Sequence, residues 1–237
     1  LLFCAGCTRP SIYSTEYNLD FEYAKNDSMP MQWIFQNSSA TGYVLSLDKQ
    51  VKQHGEASLR ARWQKGPTMT VWGGFQNILP GELVAGKELE ISGWVKTKDS
   101  VNVCAGYGIF PYNPEKYDPD LFGRIDTVGG VRGMSEWTRH TVRQTIDKDV
   151  PYVLIAGFVT GKGTAWFDNI ELRIDGVRYE DKAIPAPKTE LSDREKKELC
   201  QYVYPLRTCE PDGGDTQDLD ILRQLVGECK AVGLGEN

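Results

Sequence analysis

Residues 87–97 read KELEISGWVKT, an unbroken alternation of apolar and polar side chains. Leu89, Ile91, Gly93 and Val95 fall on one side of an extended chain, and Glu88, Glu90, Ser92, Trp94 and Lys96 on the other. Only a strand sends successive side chains to opposite faces, so this stretch predicts a strand with one face buried. Residues 56–63 (EASLRARW) repeat the pattern, with Ala57, Leu59, Ala61 and Trp63 expected inward. Residues 166–174 (WFDNIELRI) repeat it again, with Trp166, Ile170, Leu172 and Ile174 as the expected inward set. Residues 152–161 (YVLIAGFVTG) are apolar almost throughout, the signature of a central strand. Clusters such as KNDSMP, QHGE, LPGEL and TGKG punctuate these runs with turn residues. Residues 17–181 therefore predict a β-sandwich.

The texture changes after residue 181. Residues 182–191 hold two prolines and little to bury, as a linker does. Ser192 followed by Glu195 is a capping box that opens a helix, with Leu199, Tyr202, Val203 and Leu206 on one stripe. A second amphipathic helix is expected over residues 215–230, and a strand over 231–236. Two helices and one strand cannot bury a core alone, so residues 192–237 read as the opening of an incomplete α/β domain.

The 237-residue chain carries a net charge of −6 and no basic run interleaved with aromatics, which argues against a nucleic-acid partner. Six Trp and eleven Tyr suit a β-rich protein or an aromatic binding face. Cys200 and Cys209 could bridge, and no second CxxC follows Cys4 and Cys7 to complete a zinc site. His54, in a glycine-containing turn, and His140, among polar residues, are expected at the surface.

Residues 1–11 (LLFCAGCTRPS) resemble the lipobox of bacterial lipoproteins, with Cys7 as the lipidated residue. Residues 1–16 then read as a signal remnant and tether. The expectation is export to the bacterial cell envelope, with a lipid anchor as the sole membrane contact.

Asp168 sits within the inward-facing set of residues 166–174, where a lone carboxylate is costly unless paired or bound to a cation. Glu22 offers a second carboxylate, and two carboxylates with main-chain carbonyls suit Ca²⁺. The alternative is that Asp168 accepts main-chain N–H bonds or pairs with Arg, with no metal.

Four stretches in order, NLDFE (18–22), HGEASLRARW (54–63), GKELEISGWVKT (86–97) and GTAWFDNIELRIDG (163–176), resemble the jelly-roll carbohydrate-binding modules of the galactose-binding-like superfamily. That resemblance implies a structural Ca²⁺ held by Glu22, Asp168 and the turn from Gly55 to Ser58. Asn169 stands where such modules often carry a second acid. It also implies a polysaccharide or other glycan ligand stacked on aromatic rings, for which Trp33, Trp72, Trp94, Tyr107 and Tyr112 are the candidates, Trp94 being best placed by parity. Residues 202–237 resemble the start of the erythromycin-esterase-like hydrolases, whose catalytic domain opens with two helices and a V-G-L-G-E strand. This resemblance makes Glu236 an active-site glutamate of a catalytic domain whose histidine follows it, so residues 1–237 alone are expected to be inactive. The expected role is a non-catalytic accessory sandwich of an exported hydrolase. Its alternatives are a carbohydrate-binding module of the stand-alone kind and a docking domain for another envelope protein.

Overall fold

The computed structural model describes residues 12–26, 28–35, 42–64, 73–98, 102–116, 129–187 and 191–201. In chain order the first strands are β1 (Ile12–Thr15), β2 (Ala24–Asn26), β3 (Met29–Pro30), β4 (Ile34–Phe35), β5 (Tyr43–Asp48) and β6 (Ser58–Trp63). β7 (Gly73–Pro80), the helical turn α1 (Gly81–Val84), β8 (Glu88–Lys98), β9 (Cys104–Tyr112) and β10 (Val131–Arg132) follow. The last strands are β11 (Ser135–Thr145), β12 (Tyr152–Thr160), β13 (Thr164–Ile174), β14 (Val177–Arg178) and β15 (Ala183–Pro185), and α2 is Asp193–Leu199.

Two antiparallel sheets form a sandwich. One runs β10-β9-β12-β7-β4, and the other runs β11-β8-β13-β6-β5 with β14 added to β13. Residues 87–97 form the long strand the alternation predicts: Leu89, Ile91 and Val95 are fully buried, while Glu88 is exposed and Trp94 half-buried. Phe75 is the hub between the sheets. Its ring meets Phe167 at 4.9 Å, Trp33 at 5.1 Å and Phe21 at 5.7 Å, each edge-on. Gly157 on β12 leaves room for it, because a Cβ there would lie 2.1 Å from Phe75 Cζ.

The sandwich is closed along one side by a side chain. Beyond Ala105 the outer edge of β9 has no strand beside it among the described residues. There the Tyr107 N–H donates to His140 Nδ1 on β11, at 3.1 Å. His140 is thus half-buried and bonded rather than a free surface residue. The sequence concealed this because its neighbours along β11 are polar and the partner lies on the other sheet. Burial pushes the His140 imidazole below its ordinary value.

Residues 166–174 depart from strict alternation. A bulge between Asp168 and Glu171, with Asn169 at φ +48°, switches the inward parity. Ala165 and Phe167 face the core before it, and Ile170 and Leu172 after it. Trp166 lies on the opposite side, where its indole N–H donates to Asp48 at 3.0 Å.

The chain divides into two compact units, Leu1–Ala186 and Pro187–Asn237. Within the stretch expected as a linker, β15 pairs with β1, which falls inside the expected tether. Asp181 reinforces this pairing of the two ends, accepting from Thr15 Oγ1, the Tyr17 N–H and the Leu19 N–H. In the second unit α2 begins with the capping box, Ser192 and Glu195 each bonding the other's main-chain N–H. The expected helix over 215–230, the expected strand over 231–236 and Cys209 lie outside the described residues. No helix among the described residues is long and apolar enough to cross a membrane.

Phe75→Ala should destabilise the sandwich by about 3–5 kcal/mol in urea unfolding. Met134→Ala, at a side chain 76% exposed, should leave the midpoint unchanged. Equal effects at the two positions would contradict Phe75 as the hub.

Candidate functional site

The turn between β5 and β6 gathers two carboxylates from distant parts of the chain. Asp168, at the bulge of β13, accepts from the Gln53 N–H at 2.7 Å and the His54 N–H at 3.0 Å, both on Oδ2. Glu22 accepts the Glu56 N–H at 2.9 Å on both carboxylate oxygens, and the Ala57 N–H at 3.4 Å. Gly55 permits this approach: it has φ +63°, and a Cβ there would lie 2.1 Å from Glu22 Oε1. The Ser58 hydroxyl is committed elsewhere, donating to the Val51 carbonyl at 2.6 Å.

Asp168 is 1% exposed. Burial pushes its carboxyl up to about 6, the main-chain N–H groups of His54, Gln53 and Asn169 oppose this, and the Glu22 charge adds to the rise. Its Oδ1 is buried with no hydrogen-bond partner. An orphaned anionic oxygen beside a second carboxylate suits a hard, oxygen-seeking cation such as Ca²⁺. Among the described residues no three His, Cys, Asp or Glu side chains gather as ligands. The remaining positions of such an ion would fall to main-chain carbonyls and water. The N–H bonds to Oδ2 and Glu22 are those of the metal-free alternative, and they leave Oδ1 open.

The aromatic candidates do not converge. Trp33 is 5% exposed, and its indole N–H donates to the Asn18 carbonyl at 2.9 Å. Tyr107 is fully buried, with its hydroxyl on the Trp94 carbonyl at 3.1 Å. Both belong to the core and offer no ring to a ligand. Trp94 stands half-buried on the outer face of the six-stranded sheet. Tyr112 stands half-buried on the outer face of the five-stranded sheet. Trp72, Glu236 and Cys7 lie outside the described residues.

The outer face of the five-stranded sheet is apolar, like its inner face. Tyr112 lies directly opposite Tyr152, and Phe110 opposite Leu154. Leu154 in turn lies opposite Ile78 on β7. Phe110, Leu154, Ala156 and Phe158 are buried together there, apart from the main core. Tyr152, Ile78 and Ile34 are 41%, 39% and 52% exposed. Tyr112 also borders a depression of about 460 Å³ whose polar lining includes Asn113, Lys116, Asp147, Lys148 and Asp149. Tyr152 was not among the residues singled out from the sequence. The unbroken apolar run that it opens was the available signal, since a strand apolar at both parities has two faces to cover.

No protein-family model matches this chain, and no curated protein does. Solved structures do resemble it. The CBM22-1 xylan-binding domain of Paenibacillus barcinonensis Xyn10C is 16% identical, over 71% of this chain and 97% of that one, with a TM-score of 0.43. The C-terminal family 22 carbohydrate binding module of Clostridium thermocellum Xyn10B is 14% identical, over 71% and 99%, with a TM-score of 0.46. The enzymatically active domain of bacteriophage CBA120 tailspike protein 4 is 10% identical, over 61% of this chain and 19% of that one, with a TM-score of 0.43. The functional reading therefore rests on this chain's own residues.

In chelator, the raised Asp168 carboxyl costs stability in full above about pH 6, and this cost is relieved as pH falls toward the ordinary 3.8. His140 acts in the opposite sense, since its depressed value gives stability above pH 6.5 that is lost as pH falls. Asp168→Asn should therefore stabilise the chelated protein at pH 7 by on the order of 1–3 kcal/mol, with the gain vanishing near pH 4. Denaturant unfolding across this range checks it. A variant less stable than the parent at pH 7 in chelator would contradict the strained carboxylate.

Proposed function

We propose that this chain is a glycan-binding accessory module that takes a polysaccharide on the outer face of its five-stranded sheet. The observation that carries this reading is the Tyr112–Tyr152 pair. Two phenol rings in direct cross-strand register stand on an apolar face, and one of them, Tyr112, borders a depression lined by amide, ammonium and carboxylate groups. A pyranose ring has apolar C–H faces and an equator of hydroxyls. Flat rings take the faces, and the polar lining takes the hydroxyls. An open lip suits a chain that continues beyond the contact, so a polymer is the expected ligand. In the same reading Glu22 and Asp168 hold a structural Ca²⁺, which neutralises the two carboxylates and fixes the turn over residues 53–57. The ion takes no part in glycan contact.

What supports the larger setting is sequence pattern alone. Residues 202–237 resemble the opening of an erythromycin-esterase-like hydrolase, with Glu236 in its active site, and Cys7 sits in a lipobox-like stretch. On that pattern the module is the N-terminal accessory part of an exported, lipid-anchored enzyme, and the hydrolysis belongs to the catalytic domain.

Xylan oligosaccharides and a panel of other neutral glycans, titrated by calorimetry, test the binding. Tyr112→Ala and Tyr152→Ala should each weaken it about three- to tenfold, with Tyr112→Ala also lowering the unfolding midpoint because its ring packs on the Phe110–Leu154 cluster. No binding to any neutral glycan would remove the Tyr112–Tyr152 face as a glycan site. Binding that survives both substitutions would move the site off this face. Added Ca²⁺ should raise the unfolding midpoint of the parent protein and not that of Glu22→Gln. An identical rise in both would remove Glu22 from the ion site.

A further inference from the structure

The outer face of the six-stranded sheet carries a different surface. Arg139 and Arg143 on β11, Arg173 on β13 and Arg178 on β14 surround two carboxylates, Glu90 on β8 and Glu171 on β13. Arg173 Nε lies 2.7 Å from Glu171, with Arg139 and Arg178 each at 3.6 Å. Arg143 Nε donates to Glu90, which also lies 3.9 Å from Arg173. The carboxylates are sunk in the sheet, at 14% and 16% exposure, while the four guanidiniums are between 40% and 69% exposed. Glu88, exposed on the same face of β8, adds a third carboxylate beside Arg143, so four positive charges against three negative leave a surplus of one, displayed outward, on a chain of net charge −6.

The pairing also leaves hydrogen-bonding capacity. A guanidinium has five N–H donors. Arg143 and Arg178 meet their carboxylates through Nε. Among the described residues nothing engages the Nη1–Nη2 edge of either, the edge that grips a carboxylate with two parallel bonds. Trp94 lies opposite Arg139 in register on the same face, so a half-buried indole adjoins the guanidinium cluster.

We propose that this face is a second glycan site, selective for a polysaccharide bearing carboxylates, a polyuronate. The arginine forks take the carboxylates, and Trp94 packs against a sugar ring. The spread of the forks argues for a polymer. Arg139 and Arg143 are four residues apart on one strand, roughly 13 Å, and the cluster reaches across β11, β8, β13 and β14 at about 4.8 Å per strand. A single small anion meets one fork, whereas a repeating anion meets several at once. This site is independent of the Tyr112–Tyr152 face.

The full chain is titrated by calorimetry with polygalacturonate and, separately, with neutral xylan, at low and at physiological salt. Polygalacturonate should bind more weakly as salt rises. Arg143→Gln with Arg178→Gln should cut that affinity roughly tenfold or more while leaving the unfolding midpoint and any xylan affinity in place. Arg143→Lys with Arg178→Lys keeps the charge and loses the forks, so it should recover only part of the affinity. Tyr112→Ala with Tyr152→Ala should leave polygalacturonate binding unchanged. The proposal is overturned by no binding at low salt, by full recovery with lysine, or by equal affinity for polyglutamate, which would mark a general polyanion or acidic-protein surface. Loss of polygalacturonate binding in the tyrosine variant would also overturn it, by placing both ligands on one face.

Discussion

A sheet that is apolar on both faces cannot leave both to water, and the five-stranded sheet is such a sheet. One face is covered by its partner sheet through Phe75, Tyr107, Ile155 and their neighbours. The other carries a second apolar cluster around Phe110, Leu154 and Phe158, and its exposure rises toward Tyr152, Ile78 and Ile34. The exposed end of that face is where the molecule has most to gain from contact. Where Tyr112 borders a polar depression, the proposed sugar would meet both an apolar face and hydrogen-bonding groups.

The six-stranded sheet obeys the ordinary rule, apolar within and polar without. Its outer surface is accordingly charged, and its carboxylates serve as internal counter-ions that hold guanidiniums in place. The sandwich thus presents two unlike faces on opposite sides. Between them, at one end, the turn over residues 53–57 ties the entrance segment to the bulge of β13 through Glu22 and Asp168. At the two ends of the first unit, Asp181 and the β1–β15 pair do the same work with neutral backbone and one carboxylate.

Much of the fold was legible because period two is a local property. Residues 87–97 and 56–63 declare their buried sides without reference to any partner. The bulge at Asp168–Glu171 was not legible, since one αL residue at Asn169 reverses parity and leaves no mark on composition. For the same reason Trp166 was placed inward. Trp33 and Tyr107 read as ligand candidates because an aromatic side chain looks alike in a core and on a platform. Only their partners, Asn18 and the Trp94 carbonyl, tell them apart. Glu22 and Asp168 pair in the sequence as two carboxylates, a pairing the resemblance supports, and the turn brings both onto one run of N–H groups. The sequence points His140 to the surface and passes over Tyr152, because each acts across a strand or sheet boundary that the linear sequence does not display.

The most direct test of the central claim is an NMR titration of the isotope-labelled chain with neutral oligosaccharides of several kinds in turn. The account predicts shift changes at Tyr112, Tyr152 and Ile78, with Trp94 and Arg143 unmoved. Changes confined to Trp94 and its strand neighbours, or none at saturating oligosaccharide, would contradict it.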